Sequence, residues 1–349
     1  MSMKLFRTCQ LVLVVLVCAS SSFAQGWKPE LAATYLDSRQ EKWFEWPAAQ
    51  SKNGPCISCH TGLTYLFARP VLRKSLGHDE PTRYEIGLME RLRSNAGNKP
   101  AAALRDVEVI FTALFLARED SGRKMLSPVT EKAFDQLWAL QVQVGAMRGS
   151  WKWYNANLNP WETPDSVYYG TALAALAVGT TPSQYRSRPE IREKIDSMSQ
   201  YLQNAFKTQP IHNRLVVLWA SSALPEVLPS AMRQSLIAEV FRAQDTTGAW
   251  TMASLGPWQT QAAAPPDTGG SNYASGFVSF VLQQAGVEAS DRRMKRALDW
   301  LRSRQDPTSG AWTAVSMNKS YPSGSMEEAF MQDAATAYSS AALLIANRN

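Results

Sequence analysis

One short motif recurs along the chain and restricts what it can fold into. Gln244-Asp245-Thr246-Thr247-Gly248-Ala249-Trp250 reads Q-x-x-x-G-x-W, and Gln305 to Trp312 repeats it with one residue inserted. Gly149-Ser150-Trp151, preceded by Gln141 and Gln143, is a looser copy. Gln50 to Cys56 keeps the Gln and Gly54 but places Cys56 where the Trp stands elsewhere. Self-similarity of this kind marks a stack of equivalent supersecondary units, each burying its apolar face against its neighbours.

Between the motifs the periodicity is helical. Ala133, Leu137, Leu140 and Val144 recur at three- and four-residue steps, as do Met294, Leu298 and Leu301. Segments that follow a motif (168–179, 273–286 and 334–346) are apolar nearly all round, the mark of buried helices. Gly179 and Gly286 stand where a helix C-cap takes a left-handed residue. The pattern predicts helices near 29–45, 61–74, 81–97, 103–119, 128–144, 166–179, 189–206, 211–223, 230–243, 272–286, 290–304 and 328–346, with no strand signal. Six amphipathic helices around six buried ones close into an all-α, (α/α)6 toroid. A single toroid domain over 25–349 is expected, with the cysteine-bearing loop at 54–61.

These motifs and helix pairs resemble the squalene–hopene cyclase and protein prenyltransferase superfamily. The likeness spans most of the chain and is clearest from about residue 130 onward. It implies that the motif's Gln and Trp tie one outer helix to the next turn. The chemistry of that superfamily is not carried over. The Asp-x-Asp-Asp of protonating cyclases and the Asp-Asp-x-x-Asp of ionising synthases are both absent. The zinc set of the prenyltransferases lacks its cysteine, since none remains outside the 56–60 segment and the leader. Fold does not imply function.

The first residues read as a leader. Lys4 and Arg7 precede the apolar run Leu11 to Val17, and Ser22-Phe23-Ala24 is a small-x-small cleavage site. A signal peptide over 1–24 and a periplasmic or secreted protein are therefore expected, with no transmembrane segment after its removal. Cys9 and Cys18 would leave with the leader, so Cys56 and Cys59 remain, too few for a disulfide scaffold. The formal charge of +6 is spread along the chain, two of the positives lying in the leader, and gives no nucleic-acid signal.

Cys56-Ile57-Ser58-Cys59-His60 is the attachment signature of a c-type haem. Two thiols at this spacing reach the two vinyl groups, and His60 meets the iron. One covalent haem c is the expected cofactor, with His78, His212 and Met89 as candidate sixth ligands. Three other readings stay open: a redox-active dithiol, a zinc site and a structural disulfide. The toroid interior is a candidate pocket for an apolar small molecule, with Trp153, Tyr154, Trp161, Tyr168, Tyr169, Trp219 and Tyr273 as wall and Asp165, Asp267 and Asp333 as acids. Asp165 also reads as a helix N-cap, and a carboxylate inside a buried helix, as at Asp333, is costly unless paired. The prolines at 257, 265 and 266 mark a long ordered loop over Gly256 to Gly270.

Two functions of different class follow. One is a monohaem electron-transfer protein or haem-dependent oxidoreductase, with a redox partner protein. The other is a non-haem toroid binding an apolar, glycan or peptide ligand, with a Cys56–Cys59 disulfide. A divergent terpene cyclase is a third, weakened by the missing acid motif.

Overall fold

A computed structural model describes residues 26–51, 54–98, 104–259, 261–266 and 269–347. The leader and Asp267 lie outside the described residues. Among them are thirteen helices: α1 (Pro29–Glu45), α2 (Gly62–Ser75), α3 (Arg83–Asn95), α4 (Arg105–Glu119), α5 (Pro128–Leu140), α6 (Ser166–Thr180), α7 (Ser183–Arg186), α8 (Pro189–Ala205), α9 (Ile211–Ala220), α10 (Ser230–Arg242), α11 (Asn272–Gln284), α12 (Arg292–Arg302) and α13 (Phe330–Ala346). The one-turn α7 is additional to the twelve expected, as is a two-residue hairpin pairing Gln50–Ser51 with Gly54–Pro55. A helix of one turn and strands of two residues are too short to carry a period.

The inner ring is α2, α4, α6, α9, α11 and α13, and α1, α3, α5, α8, α10 and α12 lie outside it. Composition decides the layer. Nearly every residue of α6 is buried, from Tyr168 to Gly179, whereas α12 buries only Met294, Ala297, Leu298, Trp300 and Leu301 and turns its basic residues outward. Each inner helix leads through a short turn to its outer partner. The returns after α1, α5, α10 and α12 are the longest connections, whereas α8 returns to α9 through residues 206–210 alone; the inner helices are parallel and their N-termini share one end with the long loops.

The repeated motif builds those returns. Trp151, Trp250 and Trp312 are fully buried, and their indole N–H groups donate to Leu137 O, Val240 O and Leu301 O at 2.7, 2.7 and 2.8 Å. Their backbone N–H groups donate to Thr171, Ser275 and Thr336 hydroxyls on the following inner helix. Gln141 and Gln244 cross to the next outer helix, donating to Lys194 O at 3.0 Å and Arg293 O at 2.9 Å. Gln305 closes the ring: its Nε2 donates to Lys28 O at 2.9 Å and its Oε1 accepts from Lys28 N at 2.6 Å. Gln50 departs from the pattern, since its amide bonds Phe44 O and Trp46 O within its own turn.

Axial space is filled. Phe67 from α2, Phe115 from α4, Trp219 from α9, Phe280 from α11 and Tyr338 from α13 meet at centroid separations of 4.6 to 5.4 Å. The expected interior pocket is therefore, at this depth, an aromatic core in edge-on and tilted packing.

Gly310 has φ 77° and lies against α1, where a Cβ would overlap the Leu31 backbone; Gly324 has φ 79° with open space around it. Gly324→Ala should cost only the left-handed backbone, about 1–2 kcal/mol. Gly310→Ala should cost clearly more, because it also pushes α1 off the ring closure. Urea midpoints of the two variants check this, and equal losses would contradict the closure.

Candidate functional site

The cysteine segment lies at the loop end of the ring, where the chain turns into α2. Ser58 makes that turn: its Oγ accepts from Thr61 N and Gly62 N at 3.0 and 2.9 Å. Upstream, Cys56 N donates to Ala49 O at 2.9 Å and Cys56 O accepts the Trp43 indole at 2.8 Å. The backbone that presents Cys59 and His60 is thus held from both sides.

Beneath it is a buried polar network joining both ends of the chain. Asp333, near the start of α13, is 1 % exposed. Its Oδ1 accepts from Arg39 Nε at 2.7 Å and from the Tyr35 hydroxyl at 2.8 Å, both on α1. Its Oδ2 accepts from the Thr61 hydroxyl at 2.8 Å. Thr61 Oγ1 in turn lies 2.9 Å from His60 Nδ1. Arg39 also reaches Met326 O at 3.0 Å. Burial pushes the Asp333 carboxyl up, and Arg39, Thr61 and Tyr35 pull against it. Facing a guanidinium at 2.7 Å, it acts as the carboxylate, an acceptor only.

The rings around His60 complete the site. Phe330 stacks on its imidazole at 3.6 Å, Trp43 meets it edge-on at 5.2 Å, and Trp161 lies tilted at 5.8 Å. Trp46 packs on Phe330 at 5.8 Å and is half-buried, as is Phe330 itself. Burial, with Arg39 adding to it, pushes the His60 pKa down to about 3, so the ring is neutral across the physiological range. Burial pushes Cys56 up to about 11, and Cys59 well above its usual value. Both are free thiols. Neither is a thiolate near neutrality, which is the character of inert buried cysteines.

Trp161 belongs to a loop that caps the mouth, and Glu162 follows it. Glu162 pairs through its backbone with Leu158, and its half-buried carboxyl has no hydrogen-bond or ion-pair partner among the described residues. Burial pushes it up to about 7, and it lies near enough to Cys56 and Cys59 to raise their pKa values too. Three loops clasp one another here. Asn159 N donates to Asn318 Oδ1 at 2.8 Å, Asn318 Nδ2 returns to Asn159 O at 2.9 Å, and Asn159 Nδ2 donates to Gln259 O at 2.9 Å.

The other sequence candidates scatter. His212 is wholly buried on α9, with Nε2 bound to the Tyr273 hydroxyl at 2.8 Å and Nδ1 to Asn213 Oδ1 at 3.0 Å. It touches the site only through Tyr273, whose oxygen accepts the Trp161 indole at 3.2 Å. His78 is exposed beyond α2, Met89 is half-buried on α3, and Asp165 is exposed at the N-cap of α6 without a side-chain cap bond. Of the proposed walls, Trp161, Tyr169 and Tyr273 surround His60 or His212, while Tyr168 bonds Leu202 O and Trp219 is in the axial core. Glu162, Thr61, Arg39, Tyr35, Trp43 and Phe330 were not foreseen.

No family model matches the chain, and no curated protein matches it. Solved structures do. The α-1,6-mannanase GH76A of Salegentibacter sp. HEL1_6 shares 12 % identity at a TM-score of 0.55, covering 91 % of this chain and 100 % of its own. A possible member of the GH105 family from Salmonella enterica follows at 11 %, a TM-score of 0.53, and 92 % and 95 % coverage. An inactive variant of that mannanase, in complex with α-1,6-mannotetrose, aligns at 12 % and a TM-score of 0.51, covering 90 % and 99 %. The likeness establishes the α/α toroid.

It also corrects two expectations. The neighbours are glycoside hydrolase toroids, neither cyclases nor haem proteins, so membership of the cyclase and prenyltransferase family is withdrawn. With it goes the haem electron-transfer reading and its redox partner. No group of three or more metal-ligating side chains occurs among the described residues, and none of their helices is long and apolar enough to cross a membrane. The disulfide of the second reading is replaced by two free thiols.

Because the Glu162 pKa is raised on folding, its contribution to stability is present below about pH 4.5 and is lost as pH rises through about 7. His60 and His212, depressed to about 3 and 4, act oppositely, losing stability as pH falls below about 6.5. The difference between wild type and Glu162→Gln isolates the first effect. Relative to wild type, the variant should gain stability between pH 5 and pH 8, read from urea midpoints at both values.

Proposed function

We propose that this protein is a carbohydrate-binding toroid that takes its ligand at the loop-end mouth beside His60. The observation that carries the reading is the composition of that mouth. Half-buried Phe330 stacks on His60 and packs against half-buried Trp46, and half-buried, unpartnered Glu162 lies near Cys56 and Cys59 of the same segment, over a fixed polar network, on the same kind of ring that the mannanase uses. Aromatic faces with a few positioned polar groups are what a small-molecule site requires. The filled axis restricts the ligand to the rim, which suits an extended oligosaccharide better than an engulfed terpenoid. A periplasmic or secreted address, expected from the leader, would bring such a domain to polysaccharide.

Binding is preferred to hydrolysis for a stated reason. Glycosidases generally need two carboxyl groups flanking the bond, one an acid with a raised pKa and one a free carboxylate. Glu162 has the character of the first. Asp333, the carboxylate of the His60 network, is already engaged by Arg39, Tyr35 and Thr61, which leaves it no free role opposite Glu162.

Calorimetric titration with neutral oligosaccharides, α-1,6-mannotetraose among them, tests the reading. Binding at micromolar to millimolar Kd is expected, weakened about tenfold or more by Phe330→Ala and left unchanged by a change at the remote Val144. A panel of neutral oligosaccharides that produces no heat would remove the proposal.

A further inference from the structure

Two buried histidines share one tautomer but differ at one atom. In His212, Nδ1–H donates to Asn213 Oδ1, because Asn213 Nδ2 already donates to Asp165 O and Gln209 Oε1. Its Nε2 accepts the Tyr273 hydroxyl proton, since the Tyr273 oxygen receives the Trp161 indole. Both nitrogens are thereby satisfied. In His60 the same logic runs through Thr61. The Asp333 carboxylate can only accept, so the single Thr61 hydroxyl proton points to Oδ2, and Thr61 Oγ1 must accept from His60 Nδ1–H. His60 Nε2 then carries the lone pair, and no described residue donates to it. His60 is 7 % exposed, and its Nε2 is not among the sealed side-chain polar atoms that lack a partner.

We infer that Asp333 and Thr61 lock the tautomer of His60, presenting Nε2 as a fixed hydrogen-bond acceptor for a hydroxyl of a bound ligand. Asp333 and Thr61 are positioning residues; His60 is the contact. The chemical class follows from the atom on offer. A neutral imidazole nitrogen ringed by Phe330, Trp43 and Trp161 selects an O–H donor on an uncharged, partly apolar molecule, and sugars and other polyols have that character. The ligand class rests on the carbohydrate reading; the tautomer does not.

The polarity of this relay can be reversed with almost no change of shape. Asp333 Oδ1 faces Arg39 and Tyr35, whereas Oδ2 faces Thr61 alone. In Asp333→Asn the amide oxygen can stay with Arg39 and Tyr35 while the amide NH2 replaces Oδ2. It then donates to Thr61 Oγ1, the Thr61 hydroxyl turns to donate to His60 Nδ1, and the ring proton moves to Nε2. The acceptor becomes a donor.

Long-range proton–nitrogen correlation spectra of 15N-histidine-labelled protein read this directly. The chain has three histidines, exposed His78 is assigned by His78→Gln, and His212 serves as an internal standard of the expected tautomer. Wild type should show His60 protonated at Nδ1, Asp333→Asn should show it protonated at Nε2, and α-1,6-mannotetraose should shift Nε2 of the wild type only. If Asp333→Asn does not fold, Thr61→Ser should keep the wild-type tautomer and Thr61→Val should lose it. A wild-type ring protonated at Nε2, or a tautomer indifferent to these changes, overturns the lock. Sugar binding that leaves Nε2 unmoved overturns the ligand contact while sparing the carbohydrate reading. A correct tautomer with no sugar bound at any concentration removes the carbohydrate reading, and with it the ligand class, but upholds the lock.

Discussion

A single buried carboxylate joins the parts of this molecule that sequence keeps farthest apart. Asp333 sits on the last inner helix, its Arg39 and Tyr35 partners on the first outer helix, and Thr61 at the entry to the first inner helix. Isolated in that position it would be very costly. With a guanidinium and two hydroxyls around it, the charge is matched, and removing one partner of such a pair typically costs about 3–5 kcal/mol. The network therefore acts as a keystone for ring closure as well as an orienting device. The Gln305–Lys28 pair performs the same closure at the surface, where exposure to water makes it weaker.

The stability of the ring and the placement of the site are consequently one problem. An α/α toroid has to join its first and last hairpins without a covalent link, and here the closing contacts fall at the mouth. His60 inherits its orientation from that closure, through Thr61, and its packing from Phe330 on α13 and Trp43 on α1. Anything that loosens α1 from α13 will therefore disturb His60 before it disturbs the opposite side of the ring, around α6 and α9.

Most of the architecture was legible in the sequence because its determinants are local. The motif Gln, Gly and Trp mark each return, and helix ends such as Pro29, Pro128 and Pro189 stand at the first helical position, where proline costs nothing. The site was legible only in part. Cys56, Cys59, His60 and Asp333 stood out by type, and the structure brings all four to one end. Their partners did not, because Tyr35 and Arg39 look like ordinary outer-helix residues until α13 is laid beside them. Glu162 is an exposed loop carboxyl by composition, and only the three clasped loops give it a buried environment. The filled axis was equally hidden: a helix apolar all round does not reveal which of its faces meets the other five.

The Cys-x-x-Cys-His segment shows why spacing alone underdetermines chemistry. The same five residues suit haem attachment, a dithiol or a helix entry, and these roles do not exclude one another. Here Ser58, between the cysteines, accepts from the backbone N–H groups of Thr61 and Gly62, where the chain enters α2. Burial then raises both thiol pKa values, outweighing the pull of Arg91 on Cys56, and lowers that of the imidazole, since each charged form would lose its hydration. What survives burial is the hydrogen-bonding capacity of a neutral ring. A neutral ring recognises its ligand by direction, and direction is what the Asp333–Thr61 relay supplies.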